Sequence, residues 1–198
     1  MTDIFQKIYE EICDDPENKE MKQKGYEPVY TAGEGASIVI VGQAPGRKAQ
    51  ETNKPWNDVS GETLRKWLGV TDDEFYDPDI ISLMPMDFYY PGKGSNGDLP
   101  PRKGFAEKWH PALLENMPKV KLFILIGAYS QKYYLAKNIK SNLTETVNSY
   151  KEYLPKYFPI VHPSPLNFRW RSKNPWFENE VIPELQKLVR KIIDENKN

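Results

Sequence analysis

The sequence predicts an α/β fold, a three-layer sandwich in which a central, mostly parallel, four-stranded sheet is flanked by helices. Three observations predict it. Residues 37–41, 79–84, 122–126 and 159–161 are short apolar runs of the kind found in strands buried on both faces. Segments with helical spacing alternate with these runs, as they do when a parallel sheet is covered on both sides. The length of 198 residues suits one domain that can bury a core without staples, so a single domain over 1–198 is expected.

In order along the chain, a helix is expected over 2–13, with Thr2 as cap and Ile4, Ile8 and Ile12 on one face. The strand 37–41 (SIVIV) stops abruptly at Gly42. A helix over 60–69 has Ser60 as a possible cap, Leu64, Trp67 and Leu68 on one side, and Gly69 as its stop. The strand 79–84 leads into a stretch, 85–103, dense in Pro and Gly; an irregular segment of that length is usually functional or mobile. A helix over 104–117, the strand 122–126 (LFILI) and a helix over 128–137 follow. The last strand, 159–161, runs into His162, and an amphipathic helix over 178–196 turns Val181, Leu185, Leu188, Val189 and Ile192 inward.

Composition narrows the function classes. Hydrophobic residues make up 39%, charged residues 28% and aromatic residues 13%, a globular rather than a disordered balance. One cysteine, Cys13, cannot form an intrachain disulfide and is too few for a cysteine-built zinc or iron–sulfur site, which points to a reducing, cytoplasmic setting. No stretch approaches the roughly 18 apolar residues of a membrane span, and the first residues have acids where a signal peptide is basic, so a soluble, unprocessed protein is expected. A net charge of −1 is unlike that of strongly basic DNA binders, so any nucleic-acid contact must rest on local charge. Residues 155–177 provide it: they contain no Asp or Glu, and Lys156, Arg169, Arg171 and Lys173 are interleaved with Phe168, Trp170 and Trp176. That mixture suits phosphate contact with aromatic support, and it equally describes a solvated basic loop.

Two motifs begin at predicted strand ends, where parallel sheets build their sites. Gly42-Gln43-Ala44-Pro45-Gly46 makes a stiff turn that lets a ligand approach the backbone, with an amide that can donate and accept. Its bland alternative is an ordinary strand-to-helix turn. A phosphate-loop reading fails, because neither Gly-Lys-Ser/Thr nor G-x-G-x-x-G occurs at this turn. His162-Pro163-Ser164-Pro165-Leu166-Asn167 uses two prolines to present an imidazole, a hydroxyl and a leucine in a preset arrangement. The alternative for a lone histidine is a satisfied structural residue.

Together these motifs, in this order and 120 positions apart, resemble the Gly-x-x-Pro and His-Pro-Ser loops of the uracil-DNA glycosylase superfamily. Lys54-Pro55-Trp56-Asn57-Asp58-Val59-Ser60-Gly61 resembles the segment that sets an aromatic against the base in related branches. The resemblance implies a uracil-DNA glycosylase-like fold and a monofunctional, monomeric DNA-repair glycosylase. Such an enzyme hydrolyses the N-glycosidic bond of a deaminated base, uracil or a related one, flipped out of DNA, with no metal and no cofactor. It further implies that His162 donates to the departing base. Gln43 would contact base or water, and Gly42, Ala44, Pro45, Gly46 and Trp56 would line the base. Leu166 would be the wedge, while Ser164, Pro165, Asn167, Arg169, Arg171 and Lys173 would contact DNA.

The sequence departs from the pattern twice. Ala44 stands where one branch has a water-orienting acid, which leaves Asp58 as the candidate; Asp58 or Ser60 equally reads as a helix cap. Ser82 stands where other members have a base-reading Asn, which leaves the base open among uracil, hypoxanthine and xanthine. Two other readings compete: a DNA-binding member with weak or no catalysis, and a hydrolase of free nucleosides or nucleotides.

Overall fold

The structure is a computed structural model and describes residues 3–95 and 97–196. Its strands are β1 (Ile38–Val41), β2 (Ile81–Leu83), the two-residue β3 (Lys93–Gly94) and β4 (Gly97–Asp98), β5 (Leu122–Ile126) and β6 (Tyr157–Ile160). Its helices are α1 (Asp3–Asp14), α2 (Lys19–Gln23), α3 (Arg47–Thr52), α4 (Val59–Leu68), α5 (Asp72–Tyr76), α6 (Phe105–Leu114), α7 (Gly127–Leu135), α8 (Leu143–Asn148), α9 (Phe168–Lys173) and α10 (Ile182–Asn196).

The central sheet has the order β2-β1-β5-β6 and is parallel throughout, with Val39 opposite Ser82 and Ile40 opposite Ile124. Alternation along each strand divides the core into two layers. Ile38, Ile40, Ile81, Ile124 and Phe158 pack with Leu64 of α4 and Leu185 and Val189 of α10. Val39, Val41, Phe123 and Leu125 pack with Ile8 and Ile12 of α1 and Trp109 and Leu113 of α6. Coverage on both faces is why these strands read as unbroken apolar runs. Pro159, which has no N–H to give, sits in β6 at an edge of the sheet.

Several expectations are corrected in detail. In α1 the inward face is Phe5, Ile8 and Ile12, whereas Ile4 is 40% exposed; the Thr2 cap lies outside the described residues. Asp58, not Ser60, caps α4, its Oδ1 accepting the Gly61 N–H at 2.9 Å, while Ser60 lies inside the first turn and is buried. Strand β2 spans three residues rather than six, although Met84 N still donates to Ile40 O at 2.9 Å. The C-terminal helix opens with a π turn, Phe177–Val181, before α10 begins, and Leu188 is only half-buried.

The segment 85–103 is not one loop. Met86 and Asp87 continue along the first motif, their N–H groups donating to Gly42 O at 2.9 Å and Gln43 O at 3.2 Å. Asp87 is fully buried, and its carboxylate is met by Arg102 Nε at 2.7 Å, Arg102 Nη2 at 2.8 Å and the N–H groups of Tyr89 and Arg102. A buried carboxylate satisfied on both oxygens in this way holds its surroundings rigid. The clamp ties both ends of the segment down, and the exposed β3–β4 hairpin stands between them. No helix among the described residues is long and apolar enough to cross a membrane.

Candidate active site

Because β1, β5 and β6 are parallel neighbours, the loops leaving β1 and β6 emerge at the same edge of the sheet. Trp56 stands between these loops. Its ring lies on Gly42, where an added Cβ would come within 3.1 Å of the indole Cζ2, and its centroid is 5.6 Å from that of His162 with the planes 32° apart. The backbone of Trp56 has φ +54°, a region costly for a residue with a side chain. It is held there from behind. The Trp56 carbonyl accepts from Tyr76 OH at 3.3 Å and Arg65 Nη1 at 3.4 Å, and it presses so closely on Gly61 that a Cβ there would lie 1.8 Å away. The first turn of α4 therefore fixes the indole from one side, and bare Gly42 receives it on the other.

His162 is largely buried, and its Nδ1 accepts the Ser164 N–H at 3.1 Å. In the neutral ring the proton is therefore on Nε2, which is left free to donate. Burial lowers the pKa of this imidazole below the ordinary histidine value, and the negative charges of Asp58 and Asp98 act in the opposite direction. The rest of the motif braces itself: Asn167 Nδ2 donates to His162 O at 2.8 Å, Ser164 Oγ accepts the Leu166 N–H at 3.2 Å, and Pro163 is buried. Above this braced turn Leu166 is 88% exposed and Phe168 56% exposed. Pro165, Arg169 and Lys173 are exposed as well.

In the first motif, Gly42 and Pro45 are buried, Ala44 is half-buried, and exposed Gly46 caps α3. Gln43 Nε2 donates to Leu99 O at 2.9 Å, which joins this motif to the β3–β4 hairpin. Asp58 is exposed and, besides capping α4, exerts the larger of the two carboxylate influences on His162.

Two expected site residues are placed elsewhere. Ser82 is fully enclosed in the middle of β2, with its hydroxyl donating to Pro78 O at 3.4 Å, so it cannot read a base at the strand end. Arg171 turns inward, its guanidinium over the Trp67 ring at 5.8 Å and its Nη1 paired with Glu178 at 3.3 Å. The acid-free run ends one residue before Glu178, which reaches back to neutralise one of the run's arginines. Asp98 and Leu99 were missed, and the compact Gly-Asp-Leu-Pro-Pro-Arg stretch, 97–102, was the available signal for them. Among the described residues, no group of three or more His, Cys, Asp or Glu is arranged to hold a metal ion.

Comparison with known proteins agrees with the motif resemblance. Residues 28–186 match the family model of the uracil DNA glycosylase superfamily. Among solved structures, the chain is similar to a solution NMR structure from Methanosarcina acetivorans whose assignment as a uracil DNA glycosylase is provisional. The identity is 16%, the match covers 80% of this chain and 94% of that one, and the TM-score is 0.47.

Proposed function

Since the chain belongs to the uracil DNA glycosylase superfamily, we propose that it hydrolyses the N-glycosidic bond between deoxyribose and a deaminated base, uracil or a relative of it, flipped out of DNA. The observation that carries this reading is the meeting of the Trp56 and His162 rings, with the indole seated on Gly42 and Nε2 of a neutral imidazole free to donate. An extruded base needs an aromatic face to stack on and a donor at the oxygen where charge grows, and the two rings supply these.

The C1′–N bond breaks with its electron pair passing to the base, and His162 Nε2–H stabilises the developing oxyanion. Water adds to C1′ and its proton passes to the base anion, leaving an abasic sugar and a free neutral base. Asp58 positions that water with the oxygen that Gly61 does not engage. Gln43 and the backbone of Gly42, Ala44, Pro45 and Gly46 line the base. Leu166 enters the gap in the duplex, and its near-complete exposure suits a wedge. Ser164, Pro165 and Asn167 hold that wedge in place, and Arg169 and Lys173 meet phosphates. The enzyme acts as one monomeric, cytoplasmic domain, with damaged DNA as its partner and without metal or cofactor.

Oligonucleotides bearing uracil, hypoxanthine or xanthine test this directly. Alkali-labile abasic sites are expected for at least one base, undiminished by chelators, with His162→Ala slowing excision by about a hundredfold or more. Metal-dependent cleavage, or cleavage indifferent to that change, refutes the reading. The use of Asp58 Oδ1 as a cap, with Ala44 in place of an acid, favours a second reading, a member that binds DNA without cleaving it. Tight, salt-sensitive binding to abasic duplex with every modified base left intact selects that one.

A further inference from the structure

Gln131 lies on α7, one turn beyond the end of β5, and its side chain is entirely enclosed. Its amide nitrogen donates to two main-chain carbonyls, Ile160 O at 2.9 Å and Leu125 O at 3.2 Å. Both partners are pure acceptors, so the nitrogen must face them and the orientation of the amide is fixed by chemistry. The oxygen, Oε1, is buried with no hydrogen-bond partner among the described residues. An unmet buried acceptor is destabilising, a penalty that a leucine or methionine would avoid. Packing alone therefore gives no reason for a glutamine here.

The two acceptors supply the reason. Strand β5 ends at Ile126, and the chain turns into α7 through Gly127 at φ +81°. The β5–β6 ladder stops there, with Ile126 opposite Ile160, and beyond that pair no strand holds the two segments together. Gln131 takes over at that point, its one amide bridging the carbonyls at the ends of β5 and β6 two residues before His162.

We infer that Gln131 is the positioning residue for His162: its amide fixes where β6 ends, and so where the turn that brings His162 Nδ1 to the Ser164 N–H begins. The inference rests on the reading of His162 given under Proposed function. Neighbouring Ser130 is the internal control, because its hydroxyl donates to Ile126 O at 3.1 Å and Gly127 O at 3.2 Å and does not reach Ile160.

The test is ring-nitrogen NMR of His162 in the intact chain, together with steady-state excision. Wild type is expected to carry its proton on Nε2 alone. Gln131→Met, matched in length but without donors, is expected to give mixed tautomers at His162. It should also lower kcat about 10- to 100-fold with KM little changed, the scale of a catalytic group displaced by about 1 Å. Ser130→Ala should leave the His162 signals and kcat as in wild type. If Gln131→Met lowers the melting temperature yet leaves tautomer and kcat unchanged, Gln131 is only a packing residue and the inference is overturned. Should that variant not fold, a through-hydrogen-bond coupling between Gln131 Nε2 and the Ile160 carbonyl in wild type decides: its presence supports the inference, its absence overturns it. The tautomer readout needs no turnover, so a protein inert on every base would end the glycosylase reading and leave this test standing.

Discussion

The indole of Trp56 and the imidazole of His162 face each other at 5.6 Å with their planes 32° apart, although the two residues come from opposite halves of the chain. Two glycines make that possible. Gly42 leaves room beneath the indole, and Gly61 lets the Trp56 carbonyl press against the first turn of α4.

These glycines should fail differently. A Cβ at Gly42 would lie 3.1 Å from the indole Cζ2, so Gly42→Ala asks the ring to move by a few tenths of an ångström. Stability should change by no more than about 1 kcal/mol, while excision slows about tenfold as the stacking surface is displaced. At Gly61 the obstacle is backbone, 1.8 Å away, so Gly61→Ala should cost about 2–4 kcal/mol. Urea unfolding and excision rates on the two variants separate these outcomes; equal stability losses would mean that Trp56 is not seated as described.

Asp58 has a structural duty and a proposed chemical one, and substitution can divide them. Asparagine caps helices as well as aspartate does, so Asp58→Asn should leave stability within about 0.5 kcal/mol of wild type, whereas Asp58→Ala should lose about 1 kcal/mol. If the carboxylate positions water, both variants should be slow to a similar degree. An Asp58→Asn enzyme as fast as wild type would leave Asp58 with the cap alone.

Much of this arrangement could be read from the residues. Apolar runs with sharp ends located the sheet strands, and Gly42 and His162 at two of those ends marked the candidate site. Helices α3, α5 and α8 were not legible, because five or six residues are too few to establish a helical period; the Thr71–Glu74 capping box was the only local sign of α5. Ser82 was misplaced for a related reason. Where both faces of a strand are buried, pattern does not reveal which residue comes last, so a mid-strand serine passed for one at the tip. Arg171 and Glu178 meet across a turn that the basic run concealed, and the Asp87–Arg102 clamp joins positions that no short motif connects.

The acid limb of the pH–rate profile should report His162. Its folded pKa is depressed by burial, so the ring takes up its proton at lower pH than an ordinary histidine does. Protonation below that point places a proton on Nδ1, facing the Ser164 N–H that it now accepts, and breaks the bond that orients the ring. The midpoint of the acid limb should therefore lie below the ordinary histidine value of 6.5. Removing a negative charge favours the neutral ring, so residual activity in Asp58→Asn should decline at still lower pH. An NMR titration of His162 in both proteins checks the assignment, and a higher pKa in the variant would contradict it.

The other histidine, His110 on α6, should govern stability instead. Its Nε2 faces Pro85 O at 2.9 Å and therefore carries the proton, leaving Nδ1 to accept from Tyr134 OH at 2.7 Å. Burial pushes its pKa down to about 4. The unfolded chain, with an ordinary pKa near 6.5, binds this proton at higher pH than the folded one does. The resulting stability is fully present above pH 6.5 and is lost as pH falls from there toward 4. Between pH 7 and 5 the loss from this one group should be about 2 kcal/mol, with carboxylates elsewhere adding their own dependence. His110→Gln removes the titration, so the variant should be less stable than wild type at pH 7 and show a shallower decline to pH 5 in urea unfolding. If the two proteins lose stability in parallel over that interval, the imidazole is not held neutral by its enclosure, and the contact of α6 with Pro85 owes nothing to its protonation state.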